Sequence, residues 1–152
     1  MKRTISVLAW IAIAIMASAP ATAQIGRRFP SERKVINDPK TGVELIFLTS
    51  QSGTGDSKIY QTHNQWTSDG KWVIFRSDRV PGEAMAVHEE NGDIVQVTEG
   101  GFSGMLCVAR HSMHLYYMRP VQKAREKSKE RSREREMEVV EIDLERLFAV
   151  SE

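Results

Sequence analysis

One pattern constrains this chain more than any other, and it occurs twice. Thr67-Ser68-Asp69-Gly70 lies between a segment ending at Trp66 and the β-rich stretch Lys71-Trp72-Val73-Ile74-Phe75-Arg76-Ser77. An Asp-Gly pair tolerates the positive φ that tight hairpin turns demand, so two antiparallel strands are expected here, Ile59–Trp66 and Lys71–Ser77. Pro81-Gly82 breaks the chain, Ala84–Glu89 reads as a third strand, Asn91-Gly92 as a second turn, and Asp93–Thr98 as a fourth strand. The unit then restarts. Phe102–Val108 would be a new first strand, and His111-Ser112 takes the slot of Asp69-Gly70 42 residues later. His114-Leu115-Tyr116-Tyr117-Met118 repeats Trp72–Arg76, and Glu138–Leu144 supplies a third strand. Four short antiparallel strands in about 40 residues have the length and pattern of a β-propeller blade.

The fold class read from this pattern is all-β, with about two blades of propeller repeats and one leading strand at Val43–Thr49. Propellers close with about four to eight blades, and repeat arrays need about three units to bury a continuous core. The expected object is therefore an incomplete propeller with uncovered apolar faces. It would be a fragment of a longer protein, inactive alone, or a subunit of an oligomer that completes the ring.

The N-terminus has a different character. Lys2 and Arg3 precede an apolar run, Val7–Ala19, broken only by Ser18, and Ala21-Thr22-Ala23 is a small-x-small cleavage site. That order is a secretory signal peptide over residues 1–23, and the run is shorter than the roughly 20 apolar residues of a membrane span. The expected protein is exported, periplasmic or secreted, with no membrane attachment after cleavage. Residues 24–40, with Pro30, Pro39 and Arg27-Arg28, read as an arm or linker, and residues 41–152 as the partial propeller.

Gln122–Glu138 interrupts the second unit with a charge run in which glutamates recur at 126, 130, 134 and 138 and basic residues fall three positions away. Such spacing supports an exposed helix, and the absence of an apolar stripe makes it a solvated insertion. Without the signal, 19 basic residues face 20 acidic ones, which gives no basic excess for nucleic acid. The single cysteine, Cys107, excludes an intramolecular disulfide scaffold, and its apolar neighbours suggest a buried thiol.

The stretch Ile59–Arg79, with its Ser68-Asp69-Gly70-Lys71-Trp72 core and Phe75-Arg76-Ser77-Asp78-Arg79, resembles the WD40-like repeat of exported bacterial propellers. Similar repeats occur in the translocation protein TolB and in the propellers of prolyl oligopeptidase-type peptidases. The wider order narrows the resemblance. Asp38-Pro39-Lys40-Thr41-Gly42, an aliphatic strand ending Leu48-Thr49, the repeat, Val95-Gln96-Val97-Thr98-Glu99-Gly100 and Glu141-Ile142-Asp143-Leu144-Glu145-Arg146-Leu147 together resemble the oligogalacturonate lyases, over residues 35–149. That resemblance implies a seven-bladed propeller cleaving unsaturated galacturonides by β-elimination, with a manganese ion held by histidines. It places those ligands in later blades, so it implies no catalytic residue, metal ligand or cofactor within this chain. The oligogalacturonide would bind when the full propeller is present. The alternative reading, a TolB-like propeller binding protein partners without catalysis, fits the repeat equally well.

Four histidines are present: His63, His88, His111 and His114. His111 and His114 are three apart on a turn and a strand, which without a third ligand makes no metal site. His63 is expected at the end of a first strand, lining a central channel. Together with Arg76 it is the candidate contact for a substrate carboxylate, since arginine pairs with carboxylates bidentately; polar pairing within the blade accounts for both residues as well. Trp66 and Trp72 flank the turn and read as packing residues.

Overall fold

The computed structural model describes residues 24–51, 53–121 and 136–151. The signal peptide read over residues 1–23 and most of the charged insertion, residues 122–135, lie outside the described residues. What is described is all-β apart from one short helix. Ten strands run in order: β1 (Arg28–Phe29), β2 (Lys34–Asn37), β3 (Glu44–Phe47), β4 (Asp56–Lys58), β5 (Trp72–Ser77), β6 (Glu83–His88), β7 (Ile94–Gln96), β8 (Ser103–Val108), β9 (His114–Pro120) and β10 (Met137–Asp143). Helix α1 (Leu144–Val150) follows. Three antiparallel sheets result, ordered β1-β7-β6-β5-β4, β10-β9-β8 and β2-β3.

The first sheet contains the blade read from the sequence. Its β4–β5 connection ends in a side-chain-locked turn. Thr67 Oγ1 donates to Asp69 Oδ1 at 2.6 Å and accepts from the Trp72 amide at 3.1 Å, while Gly70 takes φ 73°. Side chains then alternate. Trp72, Ile74, Ala84, Ala86, Val95 and Val97 face the second sheet, where Leu106, Val108, Leu115 and Tyr117 meet them. Phe75, Met85, Val87 and Ile94 point the other way, under Phe29, Leu48 and Val80. Both faces of the first sheet are thus covered, one by the second sheet and one by the N-terminal segment. That segment passes so close to the β6–β7 turn that a Cβ on Gly92 would strike Ser31 and Arg33.

Residues 24–40 are therefore not free of structure. β1 adds to the edge of β7, pairing Arg28 with Val95 and Phe29 with Ile94. β2 pairs with β3 in a separate hairpin whose residues are exposed except for Ile36. Two further expectations shift. The first strand ends at Lys58, and residues 59–64 leave the ladder before Gln65 and Trp66 rejoin it opposite Ile74 and Val73. The last strand ends at Asp143, whose carboxylate caps α1 by accepting the Arg146 amide at 3.0 Å, so Leu144–Leu147 is helical.

α1 closes the end of the inter-sheet core. Leu144 is fully buried and the Phe148 ring stacks on Trp72 at 4.0 Å, 16° from parallel. Arg28 binds the C-terminal carbonyls of the helix, Phe148 O at 3.1 Å and Ser151 O, where the helix dipole favours a cation.

Among the described residues, the second sheet is covered on one side only. Its outer face carries Met105, Cys107, Tyr116, Met118 and Val139, of which Met105, Cys107, Met118 and Val139 are exposed. Cys107 is consequently not the buried thiol its neighbours suggested. Leu106 and Val108 take the inward positions of β8, and strand alternation turns Cys107 outward.

Candidate functional site

The excursion at residues 59–64 builds an open cleft. Ile59 is buried in the inter-sheet core and anchors its start, while the next residues swing clear of the sheet. His63 N donates to Tyr60 O at 3.1 Å, which turns the loop, and the two rings meet edge to face at 5.2 Å. Asn64 ties the loop back to the strand, donating from Nδ2 to Trp66 O at 2.6 Å. The cleft of about 430 Å³ is lined by Gln61, Thr62, His63 and Asn64 from this segment, by Trp66, Ser68 and Gly70 just after it, and by Arg110 from the β8–β9 turn.

The chemistry of this lining is specific. Arg110 and His63 present cationic or hydrogen-bonding nitrogens, Gln61, Thr62 and Ser68 present neutral polar groups, and Trp66, 42% exposed, presents an aromatic surface. An arginine and an exposed aromatic residue lining one cleft suit a ligand that has a carboxylate and an apolar ring face.

The two residues singled out in the sequence part company here. His63 lines the cleft. Arg76 does not: from β5 its Nη2 donates to Gly104 O at 3.3 Å, its guanidinium lies 5.5 Å from the Phe102 ring centroid, and its Nε is buried without a partner. These contacts bridge the two sheets. The cationic wall of the cleft is Arg110, which sequence reasoning passed over, although it stands 42 positions after Ser68 in the repeated turn. Trp72 is a packing residue as expected, whereas Trp66 is not buried and belongs to the cleft.

The other histidines stand elsewhere. His88 packs edge-on against Trp72 at 4.8 Å. His111 is exposed in the β8–β9 turn. His114 Nε2 lies 3.5 Å from Glu141 Oε1 on the second sheet. Among the described residues, no group of three or more His, Cys, Asp or Glu side chains is arranged to hold a metal ion.

No protein-family model matches this sequence, and no curated protein matches it. Solved structures do. An oligogalacturonate lyase from Vibrio parahaemolyticus is similar over 82% of this chain and 30% of that one, with TM-score 0.59 and 20% identity. An oligogalacturonate lyase in complex with manganese is similar over 61% of this chain and 25% of that one, with TM-score 0.53 and 19% identity. The fold is shared with part of these enzymes. At such identity the likeness concerns the backbone arrangement, not the chemistry. The chain spans less than a third of the length of the solved structures it matches.

Proposed function

We propose that this chain forms two blades of an exported β-propeller of the oligogalacturonate-lyase type, and that its cleft holds an acidic saccharide. The observation that carries the reading is the conjunction of Arg110, His63 and the exposed Trp66 in one cleft, on a backbone shared with oligogalacturonate lyases. Arg110 takes a uronate carboxylate, Trp66 takes the sugar's apolar face, and Gln61, Thr62 and Ser68 meet hydroxyl groups.

The cleft binds and does not cleave. β-Elimination beside a carboxylate needs a base, a cation for the developing charge and a positioned substrate together. The described residues do not by themselves fit a manganese ion. Cleavage belongs to the whole propeller, with any manganese ligands drawn from outside these residues.

Calorimetric titration with digalacturonate and with its neutral digalactose counterpart tests this. The acidic sugar should bind and the neutral one should bind at least about tenfold more weakly, as expected for loss of a charged hydrogen bond. Arg110→Ala should remove the difference. Equal affinity for both sugars, or full affinity in Arg110→Ala, would contradict the reading.

A further inference from the structure

Trp66 is tied to β5 from one side only. Gln65 O accepts the Ile74 amide at 2.8 Å and the Thr67 amide donates to Trp72 O at 3.0 Å, so Trp66 stands opposite Val73 between these two bonds. In an antiparallel ladder, backbone groups point alternately to the two sides. The N–H and C=O of Trp66 therefore face away from β5. β4, on the same flank of β5, is the last strand of its sheet, and among the described residues no strand stands beyond it.

The Asn64 side chain fills that place. Its Nδ2 donates to Trp66 O at 2.6 Å, and its Oδ1 accepts the Trp66 amide at 3.3 Å. A carboxamide carries both a donor and an acceptor, as a peptide group does. One side chain thus answers both backbone groups of Trp66, as a neighbouring strand would. Aspartate has the same shape but, ionised, no donor, and its second oxygen would stand against the Trp66 carbonyl. Alanine answers neither group.

Trp66 is 42% exposed and lines the cleft, so half of its ring has no packing to hold it. The rotamers open to a side chain depend on its φ and ψ. Holding the Trp66 backbone from both flanks narrows the positions of the indole before any ligand arrives. A binding surface ordered in advance removes part of the ordering cost of association.

We infer that Asn64 is a positioning residue: its carboxamide holds Trp66 from the open edge and so sets the indole as a preformed wall of the cleft. The effect on affinity rests on the saccharide reading; the ordering of the ring does not.

Nitrogen-15 relaxation of the Trp66 and Trp72 indole N–H groups in the sugar-free protein tests it. In Asn64→Asp and in Asn64→Ala the order parameter of Trp66 should fall by about a third, from the rigid towards the flexible range. Trp72, buried and stacked on Phe148, should keep its value. Digalacturonate should bind both variants about fivefold more weakly than the wild type, as expected when one more side chain must be immobilised. Unchanged order at Trp66 in either variant overturns the inference. So does a loss of order shared by Trp72, which marks a general loosening of the fold. If the wild type binds the sugar and the variants bind it equally well, the inference fails while the saccharide reading stands. If the wild type does not bind it, the saccharide reading fails, and a fall confined to Trp66 still upholds the role of Asn64.

Discussion

Arg79 and Glu32, 47 positions apart, form a forked ion pair in which Nη2 lies 2.7 Å from both carboxylate oxygens. The Arg79 side chain is 3% exposed, and its Nη1 also reaches Asp56 at 2.5 Å and Ser77 at 2.7 Å. Glu32 in turn accepts the amides of Ser50 and Gln51, which pins both ends of the β2–β3 hairpin to the first sheet. Glu32→Gln should therefore destabilise the protein by about 2 kcal/mol, the range for a lost charged hydrogen bond. Chemical denaturation measures the loss, and limited proteolysis should show faster cutting between residues 30 and 51.

The same pair carries a pH signature. Burial opposes ionisation of Glu32, but the Arg79 guanidinium and the Ser50 and Gln51 amides outweigh it, so its pKa lies below the ordinary value. A carboxyl lowered in the folded state stabilises fully above its unfolded pKa, about 4.3, and loses that contribution as pH falls through the folded value. The melting temperature of the wild type should drop more steeply than that of Glu32→Gln once pH falls below about 4.3. Parallel pH profiles would show that the pair contributes nothing.

Phe148 should be worth more than an ordinary surface aromatic. It stacks on Trp72 at 4.0 Å, and the carbonyl it carries is bound by Arg28. Phe148→Ala removes the stack and opens the end of the core, at a cost of about 2–4 kcal/mol. Denaturant unfolding followed by circular dichroism measures it.

Much of the first blade was legible because its signals are local. Asp69-Gly70 and Asn91-Gly92 fix two turns, and alternation between them fixes β5, β6 and β7. β1 and β2 were not legible in the proline-flanked segment 24–40. β1 is two residues long and exists through pairing with β7, more than sixty positions away, which no local pattern encodes. The helix after Asp143 did leave a trace, an aspartate at the cap and Glu145 in the first turn, but the apolar spacing of Val139–Leu147 reads as a strand just as well.

The site was half legible for the same reason. His63 stood out as a polar residue near the end of a first strand. Arg110 reaches the cleft only because the second sheet packs on the first, and Arg76, equally conspicuous in sequence, is drawn into the contact between the sheets by Gly104 and Phe102.

The outer face of the second sheet exposes Met105, Met118 and Val139, and the β2–β3 hairpin separately exposes Val35, Ile46 and Phe47. Exposed apolar surface of this kind binds hydrophobic dyes. The folded protein should enhance the fluorescence of such a dye while keeping a cooperative melt. Met118→Lys with Val139→Lys should reduce the signal without lowering the melting temperature by more than about 2 °C, since neither side chain touches the core.

Heteronuclear NMR titration with digalacturonate tests the central claim most directly, that the cleft between the two blades receives an acidic saccharide. The account predicts saturating shifts at the Trp66 indole, at His63 and at Arg110, with Arg76 and Gly104 unmoved, and the same shifts with or without manganese. Shifts centred on Arg76, or none at the cleft at saturating sugar, would contradict it.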